Sequence, residues 1–90
     1  MLTYKDCLDL CDLTEEEIEA IAEHEHLSRV VALELGQYLV HTPEGIPMIK
    51  RMILDDIAEA RAHGNLEHAL TLRATLRHFI QTHPEHGEPE

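Results

Sequence analysis

The stretch that decides the fold is residues 14–43, TEEEIEAIAEHEHLSRVVALELGQYLVHTP. It opens with Thr14-x-x-Glu17, the capping-box pattern in which both side chains satisfy free backbone N–H groups at the start of a helix. Acidic residues crowd the first turn, where carboxylates are favoured by the helix dipole. No proline occurs before Pro43, and the residue that precedes a proline avoids the helical conformation. The pattern therefore predicts one long helix over residues 14–41.

Helix signals also flank this stretch on both sides. Thr3 is an N-cap residue, Pro47 is a residue tolerated in a first helical turn, and Gly64 followed by Asn65 ends one helix and begins the next. The predicted helices are residues 3–11, 14–41, 46–63 and 65–83, with a flexible acidic tail at residues 84–90. The sequence thus predicts an all-α protein, a small antiparallel helical bundle that forms a single domain over residues 1–83.

The composition supports helices rather than strands. Hydrophobic residues make up 43% of the 90 residues, but only 3% are aromatic, so the core must consist of aliphatic side chains. Glycine and proline number 4 each, which is too few for the turns of a small all-β domain. A chain of this length buries only about 60% of its unfolded surface, so its core is thin.

The net charge of −11 is distributed unevenly along the chain. Residues 1–45 carry 2 basic and 11 acidic side chains, whereas residues 46–90 carry 5 basic and 7 acidic ones. An acidic chain repels phosphate backbones and anionic lipid, so we expect neither nucleic acid nor membrane as a partner. The expected partner is a basic protein that contacts residues 15–25.

The sequence also indicates a cellular location. Charged residues interrupt the apolar run near Met1, which argues against a secretion signal, and no segment approaches the roughly 20 apolar residues of a membrane span. Cys7 and Cys11 are expected to be free thiols packed as small apolar residues. These features predict a cytoplasmic protein.

The long helix shows two apolar stripes at 100° per residue. One contains Ala20, Leu27, Val31 and Tyr38 and is predicted to face the core. The opposite stripe contains Ile18, Ala22, Leu33 and Val40. Because two shorter helices cannot cover both stripes, the surplus apolar surface predicts a homodimer built through the long helix.

Two residues in the long helix are unusual. Glu34 lies close to the predicted core stripe, so we expect it to be buried and paired with Tyr38, Lys50 or Arg51. Gly36 costs about 1 kcal/mol relative to alanine inside a helix. It either allows a close approach by a neighbouring element or is a weak point without a purpose.

The alternation of carboxylate and imidazole in residues 22–27, AEHEHL, is the main candidate for chemistry. Glu23-x-x-His26 places two metal-binding side chains one turn apart, and Glu59 with His63 offers a second pair at i, i+4 spacing. Together they form a candidate site for Zn, Fe or Mn, with Glu23, His26, Glu59 and His63 as ligands. The regular spacing of established zinc motifs is absent. The alternatives are a solvated polar face or a pH-sensitive histidine cluster.

Little in the sequence points to catalysis. No Ser-His-Asp or Cys-His arrangement is recognisable, and no glycine loop is present to bind phosphate. The sequence therefore predicts a non-enzymatic binding or regulatory protein that acts through protein–protein contacts. The alternative function is a helical metal-binding protein, with the site at a dimer interface.

Overall fold

The capping signals at Thr3 and Thr14 each begin a helix. The computed structural model describes residues 3–84, so the predicted acidic tail, apart from Pro84, lies outside the described residues. In both capping boxes the threonine hydroxyl accepts from the backbone N–H three residues later, and the acid at that position accepts from the threonine N–H. The helices are α1 (Tyr4–Leu10), α2 (Glu15–Glu25), α3 (Arg29–Val40), α4 (Gly45–Ala62) and α5 (Leu66–Thr82). The all-α prediction is confirmed.

The single long helix is the part of the prediction that is wrong. His26 has φ 58° and ψ 48°, a left-handed conformation that ends α2. The N–H of Leu27 donates to the carbonyl of Ala22 at 3.0 Å, the backbone bond that closes many helix C-termini. The Ser28 hydroxyl then accepts from the Val31 N–H at 3.3 Å and caps α3. The AEHEHL stretch is therefore the C-terminal turn of one helix and the junction to the next.

The break changes which apolar stripe faces the core in α3. There Val31 and Tyr38 of the predicted core stripe are exposed, whereas Leu33 of the opposite stripe is buried. In α2, before the break, Ala20 of the predicted core stripe and Ile18 of the opposite stripe are both buried. Glu34 is exposed as well, so the expectation that it is buried is wrong. The physical reason is the left-handed residue His26, which changes the direction of the helix axis and the phase of the faces of α3.

The core forms around α2 and α4. α2 contacts α3, α4 and α5, and α4 packs between α3 and α5. The side chains of Ile18, Ile21, Ile49, Ile53 and Phe79 are fully buried. α1 contributes a thinner layer, in which Cys7 and Cys11 are free thiols, partly buried against the core.

Gly36 permits a close approach between α3 and the elements before it. A Cβ atom at this position would lie 2.5 Å from Cδ1 of Leu13 and 2.9 Å from Cδ1 of Ile21. Of the two explanations for Gly36, close approach is therefore the correct one. Gly64, at φ 74°, ends α4 as the sequence predicts, and the N–H of Asn65 donates to the carbonyl of Ala60 at 2.8 Å.

Glu17 joins the first turn of α2 to the last turns of α5. Its side chain is fully buried. Oε1 accepts from the Thr14 N–H at 2.9 Å, and Oε2 lies 2.9 Å from Nδ1 of His78. One carboxylate thus completes a helix cap and a contact between helices that are distant in sequence.

No helix within residues 3–84 is long and apolar enough to cross a membrane.

We predict that Glu17→Ala lowers the free energy of unfolding by about 2–3 kcal/mol, because it removes half of the capping box and a buried hydrogen bond. The measurement is urea unfolding followed by circular dichroism. Glu16→Ala is the matched control, since Glu16 is an exposed acid in the same turn, and it should change the free energy by less than about 0.5 kcal/mol. Equal losses in the two variants would contradict the buried role of Glu17.

The break at His26 is tested by comparing His26→Gly with His26→Ala. Glycine adopts the left-handed conformation without steric cost, whereas alanine does not, so the glycine variant should be more stable by about 1 kcal/mol. In a continuous helix the order would be reversed, with alanine more stable by about 1 kcal/mol. The order measured by chemical denaturation therefore decides between a broken and an unbroken helix.

Candidate functional site

Titratable side chains gather where the end of α2 lies against α4 and α5. We call this group the Glu23 cluster; its members are Glu23, His24, Asp55, Asp56 and His68. Nε2 of His68 lies 2.9 Å from one carboxylate oxygen of Glu23 and 3.1 Å from the other. This pair joins the last turn of α2 to the first turn of α5.

His24 makes two polar contacts within half-buried surroundings. Its Nδ1 lies 2.7 Å from Oε2 of Glu25, and its Nε2 lies 3.4 Å from Oδ2 of Asp55. Burial lowers the pKa of His24, but the hydrogen bonds to Glu25 and Asp55 outweigh it, so the pKa is raised above its ordinary value. Two carboxylates on opposite sides of the ring favour the imidazolium, which can donate from both nitrogens.

Asp56 carries the least favourably placed charge of the cluster, because its carboxylate is buried. Its side chain is 9% exposed, and its Oδ2 atom is buried without a hydrogen-bond partner among the described residues. Burial, followed by the negative charge of Glu23, raises the pKa of Asp56 to about 6, against the opposing effects of His24 and His68. The carboxyl is thus held in a site that favours its protonated form.

The chemistry open to the cluster is proton exchange, which for Asp56 lies near pH 6. A carboxyl with a raised pKa and an imidazole with a raised pKa lie at the junction of three helices. A change in their protonation alters the stability of this junction. The pH-sensitive histidine cluster, one of the alternatives for AEHEHL, stays a prediction.

The structure separates the predicted metal ligands into different contacts. Glu23 is paired with His68 rather than His26, which is exposed at the helix break. Glu59 and His63 lie 3.6 Å apart on the exposed side of α4. Among the described residues, no group of three or more His, Cys, Asp or Glu side chains is placed so that it could hold a metal ion. The metal site stays a prediction.

Asp56 is not among the candidate residues predicted from the sequence. The signal was present, because Asp56 lies three residues after Ile53 and four before Ala60, in phase with the buried stripe of α4. The contribution of His68 was harder to foresee. Its distance from Glu23 depends on how α5 packs against α2, which no local pattern specifies.

A second feature is an exposed apolar surface on α3. We call it the α3 patch and define it by Val30, Val31, Glu34 and Tyr38, which fall within about 100° of one another around the helix. Tyr38 is 67% exposed and Val30 is 54% exposed. Beside Tyr38 lies a hollow of about 510 Å³, which also borders Leu33.

The rim of the α3 patch is acidic. Nε2 of His41 lies 3.5 Å from Oδ2 of Asp12, and the side-chain oxygen of Gln37 accepts from the Asp12 N–H at 3.3 Å. These contacts hold the loop before α2 against the end of α3. Asp12 and Glu34 therefore flank the apolar residues with negative charge.

A third feature lies between α4 and α5. We call it the arginine groove, a hollow of about 630 Å³ that is lined by both apolar side chains and guanidinium groups. Its apolar members are Leu54, Ile57, Leu76 and Ile80, and its basic members are Arg61, Arg73 and Arg77. By contrast, an acidic residue lines the hollow beside Tyr38 and another lines a hollow beside His68.

Comparison with protein-family models, curated proteins and solved structures finds no match for this chain.

We predict that Asp56→Asn stabilises the protein at neutral pH. The pKa of Asp56 is raised from 3.8 to about 6, so the folded state binds a proton that the unfolded chain releases. The stabilisation from this proton is complete below about pH 4 and is lost as the pH rises through 6. Asparagine mimics the protonated acid and should raise the free energy of unfolding by about 1–2 kcal/mol at pH 7.5, with the gain disappearing near pH 4.

Asp55→Asn is the matched control for this measurement. Asp55 is exposed and contacts His24, so its substitution should give no gain at pH 7.5. Urea titrations of both variants between pH 4 and 7.5 supply the comparison. A difference between Asp56→Asn and the natural protein that stays constant over this range would contradict the raised pKa.

Proposed function

We propose that this protein is a non-enzymatic binding module that acts through protein–protein contacts. The observation that supports this function is the α3 patch. Contiguous apolar surface that a single chain leaves exposed is typical of interaction sites, especially when polar groups surround it. Val31 and Tyr38 are exposed apolar members of the patch, and Glu34 lies between them on the same face of α3.

The charge around the patch favours a particular class of partner. Glu34 lies within the patch, Asp12 lies at its edge, and the first half of the chain carries most of the acidic residues. The exposed glutamates of α2 extend this acidic surface, where Arg29 is paired with Glu19 at 3.0 Å. We therefore expect a protein with an apolar anchor flanked by lysine or arginine.

The sequence also predicts a homodimer, and this stays a prediction. A second copy packed through the α3 patch under two-fold symmetry would bring the acidic rims of both copies together, which is unfavourable. A basic partner would pair with the same carboxylates. For this reason we assign the patch to a different protein rather than to a second copy.

Photo-crosslinking tests the patch directly. Replacement of Tyr38 by the photoreactive residue p-benzoylphenylalanine keeps an aromatic ring at the centre of the patch. We expect this variant, illuminated in the native host cell, to form a discrete adduct with another protein, and Val31→Glu in the same chain should abolish it because a charge replaces an apolar contact. Mass spectrometry identifies the adduct.

The matched control carries the photoreactive residue at Ala58, an exposed position on α4 outside the α3 patch. The same adducts at positions 38 and 58 would contradict the proposal, because they would reflect random collision. An adduct between two copies of the chain, together with a dimer mass in light scattering of the natural protein, would show that the patch holds a second copy.

A further inference from the structure

The arginine groove is basic, whereas the chain as a whole is acidic. Lysine and arginine number 7 in the sequence against 18 aspartates and glutamates, yet three of these seven line one hollow. No carboxylate is among the lining residues. In the described chain, Arg61, Arg73 and Arg77 form no ion pair with an acidic side chain, whereas Arg29 binds two glutamates. The charge of the groove is thus not neutralised within the fold.

The groove is apolar as well as basic. Leu54 is 50% exposed and Ile80 is 45% exposed, although both occupy helices that otherwise pack into the core. A second hollow of about 280 Å³ lies alongside the groove and shares Arg61 and Arg73 with it. Leu66 and Leu70 line this second hollow, and each is 62% exposed. The two hollows form one surface along the outer side of α4 and α5.

The spacing of residues on α5 indicates the shape of the occupant. Leu66, Leu70, Arg73, Arg77 and Ile80 follow one another at steps of four, three, four and three residues. This is the spacing of a seam on which a second helix packs. The seam spans fifteen residues, from Leu66 to Ile80, with a rise of about 21 Å. It therefore matches a helical segment of about four turns.

From this combination we propose that the arginine groove binds an amphipathic helix of a partner protein that carries glutamate or aspartate beside its apolar residues. Apolar side chains of this helix fill the spaces beside Leu54, Leu70 and Ile80, and its carboxylates pair with the guanidinium groups. Arginine suits this role because its planar fork binds a carboxylate with two parallel hydrogen bonds. Binding of a helix in a groove is a common mode of peptide recognition.

Two other occupants fit the groove less well. A second copy placed by a two-fold axis would bring Arg73 and Arg77 against the same residues of its partner, and like charges repel. The chain's own residues 85–90 carry Glu85, Glu88 and Glu90 but lack the large apolar side chains that the groove would accept. The groove is separate from the α3 patch and takes a partner of opposite charge, so it extends the proposed function rather than depends on it.

Fluorescence anisotropy with a designed probe tests the proposal. The probe is a fourteen-residue helical peptide with leucine and glutamate at the positions that would face the groove. We expect saturable binding to the full chain, and Arg73→Glu should weaken it by about ten-fold or more because Arg73 borders both hollows. Arg51→Glu is the matched control: it makes the same charge change at an exposed position on α4 outside the groove, and it should weaken binding by less than about two-fold.

Two altered probes separate charge from shape. In one, the leucines are replaced by serine; in the other, the glutamates are replaced by lysine. Both should lose binding, and the lysine probe should regain it with Arg73→Glu. Equal binding of the serine probe would overturn the proposal, since the groove would then attract any polyanion. Equal weakening by Arg51→Glu and Arg73→Glu would overturn it as well.

Chemical-shift mapping on the natural protein provides a test that does not depend on the folding of a variant. The probe should shift the methyl resonances of Leu54, Leu70 and Ile80 and leave those of Val30 and Val31 unchanged. Shifts confined to the α3 patch, or no shifts at millimolar probe, would overturn the proposal.

A chain lacking residues 85–90 should bind the probe with unchanged affinity, and a gain of about ten-fold would instead assign the groove to the tail.

Discussion

The junction at residues 26–28 is the constraint on which the remaining structure depends. His26 takes the left-handed conformation, the Leu27 N–H closes the end of α2, and the Ser28 hydroxyl opens α3. Because the chain turns here, α2 packs against three other helices and Gly36 of α3 approaches Leu13 and Ile21. The same turn leaves Val31 and Tyr38 on the outside.

The protein separates charge between two surfaces. The first half of the chain carries a net charge of −9 and presents the α3 patch with an acidic rim, whereas α4 and α5 present the arginine groove. Surfaces of opposite charge favour different ligands, because like charges at an interface are costly.

The interior contains polar groups that reduce stability as well as groups that add to it. Glu17 is fully buried but completes a helix cap and contacts His78. Asp56 is nearly as buried, and its Oδ2 has no partner in the described part of the chain. Stability is retained at a site of this kind when neighbours or protonation offset the cost of burying the charge. For Asp56, a pKa of about 6 makes this balance depend on pH.

Local patterns by themselves determined the all-α class, the N-cap at Thr3, the capping box at Thr14 and the stop at Gly64. These features depend on neighbours three or four residues apart, which a sequence displays directly. Only the tertiary structure decided that the long helix breaks at His26, that Glu34 is exposed and that His68 pairs with Glu23. The left-handed conformation costs a residue such as histidine roughly 1–2 kcal/mol. Contacts between helices that are distant in sequence must offset this cost, and the orientation of the faces of α3 follows from the break.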